Sequence, residues 1–152
     1  MNCPVCDTIE KSPEAAAGFL IRLSLGVLFF TAGLSKFLAP EGAFGVARKI
    51  AGSFENTFLP GFMVIPYAYT LPFLEVLLGI LLVLGLFTRP ALLVSGLLLL
   101  SLAFGMMVQQ QHDTVAYNLN YVFMAAIGLW FSAKANPWSL DRLLCGKCAG
   151  AE

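Results

Sequence analysis

The chain has 152 residues, of which 59% are hydrophobic and only 12% charged. Soluble domains carry about a quarter of their residues as charges, so this composition argues strongly against a water-soluble enzyme. With 9 basic against 9 acidic residues there is no positive field to hold nucleic acid, and a mean hydropathy of +0.81 makes the lipid bilayer the expected solvent.

A helix that crosses the hydrocarbon layer needs roughly 20 mostly apolar residues. An N-terminal tail, residues 1–13, carries Cys3 and Cys6 and ends on Ser12-Pro13, a plausible helix N-cap and first helical position. The first span follows at about 14–38, with Arg22, Gly26, Phe29, Gly33 and Lys36 on one helical stripe. A cleaved signal peptide is the rival reading, but the apolar run is too long for one and a Cys motif precedes it. In the long connection that follows, Phe44, Ala47, Ile50, Ala51 and Phe54 recur at helical spacing opposite Arg48, Lys49 and Glu55. That pattern predicts an amphipathic helix lying in the membrane interface. The next stretch, residues 58–66, is too apolar for a solvated loop and is expected to dip toward the headgroups.

The second span is placed at about 67–87, with Pro72, Glu75, Gly79, Leu82 and Leu86 sharing a stripe. Thr88-Arg89-Pro90 reads as a tight turn, which makes the second and third spans antiparallel neighbours. The third span covers about 90–108, and its inner stripe is read as Ser101, Gly105, Val108 and His112. A polar connection, residues 109–114, leads to the fourth span at about 117–132, striped with Asn118, Tyr121, Ala125, Gly128 and Ser132. A C-terminal tail, residues 133–152, carries Cys145 and Cys148. The apolar runs are continuous and do not alternate, so helices are favoured over barrel strands. The expected fold is an all-α membrane protein, a four-transmembrane-helix bundle with one interfacial helix.

Basic residues set the orientation. Lys11, Arg89, Lys134, Arg142 and Lys147 fall on one side, and Arg48 and Lys49 on the other. Both termini are therefore expected in the cytoplasm of a bacterial-type inner membrane. Trp130 and Trp138 read as interface anchors.

All four cysteines lie in two Cys-x-x-Cys motifs, Cys3-Pro4-Val5-Cys6 and Cys145-Gly146-Lys147-Cys148. That spacing lets one turn present two thiolates to a single ion. With an even number of spans the tails share a membrane face, so the four sulfurs can form one tetrathiolate site if the first and last helices are neighbours. A structural zinc is the leading reading. Iron in the same ligand set, a redox-active dithiol pair and unliganded cysteines stay open, since four thiolates do not distinguish zinc from iron and a low thiolate pKa would suit exchange. Structural disulfides are disfavoured on the cytoplasmic side.

Ionisable groups inside a span are costly and usually face the protein interior or a hydrated cavity. Lys36, Glu75, His112, Asn118 and Tyr121 belong to the non-cytoplasmic half, and Arg22 lies nearer the cytoplasm. Glu75 can pair with Lys36 or, through its long side chain, with Arg22. Such a pair fixes helix register, or it belongs to a proton-linked or ligand-binding pocket. His112 is an interfacial residue beside Asp113, or a proton carrier or quinone contact. The single His excludes a bis-His haem within the chain.

The runs Arg22-Leu23-Ser24-Leu25-Gly26 and Ala32-Gly33-Leu34-Ser35-Lys36-Phe37 resemble the first helix of the DoxX family of small four-helix membrane proteins. Glu75, Gly79 and Leu84-Gly85-Leu86-Phe87-Thr88-Arg89 resemble that family's second helix and turn, and Trp138-Ser139-Leu140-Asp141-Arg142 its ending. The terminal Cys motifs are additional to the family pattern. The resemblance implies a place in membrane redox systems: the namesake subunits belong to a complex that oxidises thiosulfate and reduces quinone. A related protein supports maturation of methylamine dehydrogenase.

Three functions follow. The first is an accessory subunit of a quinone-linked membrane redox assembly, docked through its lipid-exposed faces to other subunits or to its own copies. The second is a thiol:quinone oxidoreductase using the Cys pairs, which would need electrons to cross most of the bilayer. The third is a small-solute carrier coupled through Glu75, for which four helices are few. The first is the expectation carried forward.

Overall fold

The computed structural model of the chain describes residues 13–55 and 57–134. Among these there are five helices and no strand: α1 (Pro13–Leu38), α2 (Gly42–Gly52), α3 (Gly61–Leu84), α4 (Thr88–Val108) and α5 (His112–Lys134). All but α2 are long and apolar enough to cross a membrane, and the chain is an integral membrane protein. Lipid is as apolar as the core, so the long helices carry large hydrophobics on both sides. Leu25, Phe29, Leu82 and Leu92 are buried, while Leu20, Leu77, Leu97 and Phe123 face outward.

In cross-section the spans run α3, α1, α5, α4, with the seam from α4 back to α3 the least closely packed. The interface between α1 and α3 is built on glycine. A Cβ at Gly79 would lie 2.5 Å from the Phe30 backbone nitrogen, and one at Gly33 would lie 2.8 Å from the Val76 nitrogen. Gly26 stands in the same relation to Val83, at 2.9 Å. Without a hydrophobic drive between helices in lipid, such close approach is what yields contact energy. Gly128 makes the matching approach of α5 to Ile21 of α1.

The expected amphipathic helix is α2, which buries Ala43 and Ala47 and packs mainly against α3. Phe44 leaves the bundle core and stacks beside Tyr69 and Phe73.

Several local features differ from the sequence reading, among them the start of α5 at His112 and not near residue 117. Residues 61–66 do not form a separate dip; α3 begins at Gly61, with Pro60 before it and Pro66 inside it. Pro60 precedes the first turn, and Pro66, the sixth residue of the helix, forgoes the bond to the Phe62 carbonyl, a loss that membrane helices tolerate. The tight turn also falls earlier. Gly85 takes the left-handed conformation (φ +69°) and the Leu86 amide donates to Leu81, closing α3. Thr88, Arg89 and Pro90 are then the first turn of α4, where proline is tolerated. Finally, α4 turns Ala91, Leu92, Ser95, Leu98, Leu99 and Ala103 inward, and Ser101 faces the α3 seam. Ser101 and Gly105 marked a close approach on this helix, but a different face, mixing leucines with Ala91, Ser95 and Ala103, claimed the core.

Because the Gly79 site abuts backbone, Gly79→Ala should lower the stability of the detergent-solubilised protein by about 1–3 kcal/mol. Gly52→Ala, with no atom within 4 Å of the added carbon, should change the unfolding midpoint little. Equal effects of the two substitutions would contradict the packing described.

Candidate functional site

The glycine contact aligns the charges. At Gly33 the α1 backbone comes close to α3, with the Glu75 Cβ only 3.1 Å from where a Gly33 Cβ would sit. One turn further along α1, Lys36 reaches that same carboxylate, and its ammonium donates to Glu75 Oε2. The Glu75 side chain is 4% exposed and that of Lys36 is 20% exposed. Phe37 and Phe73 meet edge to face beside the pair, with ring centroids 5.1 Å apart. Phe44 of α2 extends the aromatic group, its centroid 6.3 Å from that of Phe73. The result is a nearly neutral unit inside the spanning region, open only along the lysine. It can fix helix register, and it can hold a proton between two groups.

Arg22 stands at the other end of α1. Fourteen residues separate it from Lys36, about 21 Å along the helix. It is 2% exposed, with its guanidinium carbon 5.3 Å from the centre of the Phe19 ring. Glu75 therefore makes its ion pair with Lys36, and Arg22 belongs to the end where the chain enters and leaves.

The other polar positions lie on α5, which packs on α1 and α4 and stands diagonally from α3. His112 is exposed and is the first residue of the helix. Asn118 is half-buried, and Tyr121 packs against the hydrophobic core. The fold does not gather these three around Glu75.

A polar pair that sequence reading did not single out spans the loose seam. The hydroxyls of Tyr67 on α3 and Ser101 on α4 are 2.6 Å apart. They border an open cavity of about 240 Å³ whose wall also includes Met63, Val64, Phe104, Gly105, Phe54 and Leu59. A larger cavity, about 460 Å³, lies across Phe54 and Val64 and includes Arg48, Glu55 and Tyr69. Ser101 and Gly105 were visible as a small-residue stripe. Tyr67 gave no signal beyond a hydroxyl near the start of a span.

Cys3, Cys6, Cys145 and Cys148 lie outside the described residues, as does Trp138. Among the described residues no group of His, Cys, Asp or Glu is clustered to hold a metal. The bundle does show where the tails depart. A Cβ at Gly18 would lie 3.1 Å from the Phe131 Cβ, so the start of α1 and the end of α5 are packed together at one end.

Compared with known proteins, residues 14–117 match the family model described as methylamine utilisation protein MauE. No curated protein and no solved structure matches.

The buried pair supports a direct test. Lys36→Met or Glu75→Gln alone leaves a polar group without its partner in a low-dielectric site, and each should cost on the order of 3 kcal/mol. Combining both should recover much of that loss, giving a large coupling energy in a double-mutant cycle. Additive losses would show that the pair contributes nothing to register.

Proposed function

The chain belongs to the MauE family, and on that premise we propose that it is an accessory integral-membrane component of a redox system. The observation that carries this reading is the family match over residues 14–117, which includes three of the four spans and the α1–α3 interface. The family description, methylamine utilisation, suggests a multi-component system for amine oxidation, consistent with the DoxX-like resemblance to quinone-linked assemblies. The lipid-facing surfaces of α4 and α5, with Leu97, Phe104, Phe123 and Trp130 outward, are available to partner subunits or to a second copy. The distribution of basic residues supports cytoplasmic termini.

In this reading the two tails form one site: Cys3, Cys6, Cys145 and Cys148 hold a single zinc ion, with iron as the alternative occupant. Four thiolates are a complete tetrahedral set. The packing of Gly18 against Phe131 supports the geometry. Seven residues from Cys6 to Pro13 can reach about 23 Å, and eleven from Lys134 to Cys145 about 36 Å, at roughly 3.3 Å per residue. Both pairs can therefore meet over the end of the bundle. When bound, the ion supplies a rigid cross-link between the first and last helices.

Elemental analysis of the purified full-length protein should find one zinc per chain. Cys3→Ser or Cys148→Ser should each release it and lower the unfolding midpoint. A metal-free protein whose cysteines cycle reversibly through a disulfide would replace this reading with thiol:quinone exchange. Mild-detergent extraction should retain a partner subunit, and a lone chain that sustains the redox activity by itself would count against the accessory role. Folded but inactive Glu75→Gln protein would favour a solute carrier.

A further inference from the structure

We propose that the seam between α3 and α4 binds a lipid-soluble aromatic ring bearing a hydroxyl group, a phenol or hydroquinone in chemical class. The room is structural. Gly105 keeps the α4 wall low, and Phe54 comes to 3.3 Å of where its Cβ would sit. The Gln109 side-chain amide donates to Ser53 Oγ at 3.1 Å, which ties the end of α2 to the end of α4 and holds Phe54 over the opening. The volume of this open groove, about 240 Å³, is just below the usual range for small-molecule pockets. It suits one ring, with any tail left in the lipid. Phe54, Phe104 and Tyr67 offer aromatic faces and edges for such a ring.

The hydroxyl requirement comes from counting protons. Each hydroxyl has one proton to donate and two lone pairs to accept with. The Ser101 hydroxyl donates to the Leu98 carbonyl oxygen at 2.7 Å. Its proton is committed there. At 2.6 Å the Tyr67 hydroxyl must then be the donor to Ser101 Oγ, so its proton is committed as well. What remains on Tyr67 is an acceptor lone pair. A ligand that hydrogen-bonds here must bring its own donor, and a ring with only carbonyl or ether oxygens cannot. A hydroquinone meets this condition and its oxidised quinone does not. Tyr67 lies six residues into α3, about 9 Å from its start, near the interfacial level where rings with one polar edge settle.

The test compares 4-nonylphenol with its methyl ether, 4-nonylanisole, which keeps the ring and tail but lacks the donor. Affinities are read from shifts in the unfolding midpoint of the full-length protein in detergent. The phenol should bind about tenfold more tightly, the worth of one hydrogen bond. Tyr67→Phe, which preserves the ring, should bring the ratio near one by weakening the phenol alone. Ser101→Ala, which releases the Tyr67 proton, should narrow the ratio by strengthening the ether. Equal affinity of the two probes for the unaltered protein, or a ratio indifferent to Tyr67→Phe, would overturn the proposal and leave an unselective seam filled by lipid chains.

Discussion

The close approach of α1 and α3 is the constraint on which the rest of the bundle depends. Helices in a bilayer gain nothing by hiding apolar surface from lipid that is equally apolar, so association rests on contact distance and on polar groups that find partners. Gly26 and Gly33 lie two turns apart on α1, and Gly79 of α3 fits between them against Phe30. This lets the backbones come within reach of side chains that would otherwise be held apart. The Lys36–Glu75 pair is a consequence of that approach. An alanine in place of Gly33 would press on both Val76 and Glu75, and the carboxylate would move with the helix.

The same contact divides the polar chemistry between two ends. Arg22 and the departure points of both tails occupy one, where Gly18 meets Phe131. The Lys36–Glu75 pair, α2 and the seam cavity occupy the other. This separation bears on the role of the cysteines. Thiol exchange with a ring bound in the seam would have to move electrons along most of a spanning helix, whereas a metal clasp at the tails needs no such path. The proposed clasp and the seam cavity would thus act as independent devices on one scaffold.

Much of this arrangement was legible in the sequence because the signals were physical. Apolar length marked the four spans, and glycine spacing on α1 and α3 marked the face each presents. Amphipathic spacing marked α2. The inner face of α4 was misread for a specific reason. Ser101 and Gly105 indicate closeness to something, but on a helix apolar all round, periodicity cannot say which side meets the core. Leu92, Leu98 and Leu99, with Ala91, Ser95 and Ala103, took the core, and Ser101 and Gly105 were left to the seam. The start of α3 at Gly61 was hidden because Pro60 and Pro66 look like loop signals, although a membrane helix tolerates a proline within it. His112 read as a loop residue because the residues around it are polar, and polarity alone does not distinguish a connection from an exposed first turn. The cysteine motifs were legible as motifs. Whether their sulfurs share an ion depends on backbone paths that no spacing rule encodes over more than a hundred residues.

The residues that carry the family resemblance make a further point when placed on the fold. Arg22 to Gly26, Ala32 to Phe37, Glu75 with Gly79, and Leu84 to Arg89 include the α1–α3 contact, its buried ion pair and the turn that follows. In this bundle they supply a close crossing, one polar lock and a glycine-closed reversal. A likeness concentrated there transmits architecture with high fidelity and chemistry with very little. The four cysteines of the tails and the hydroxyl pair that bridges the loosest seam lie outside those residues. Function in such a protein is best sought where the shared packing residues end. There a change of one side chain alters what the bundle can hold without altering whether it forms.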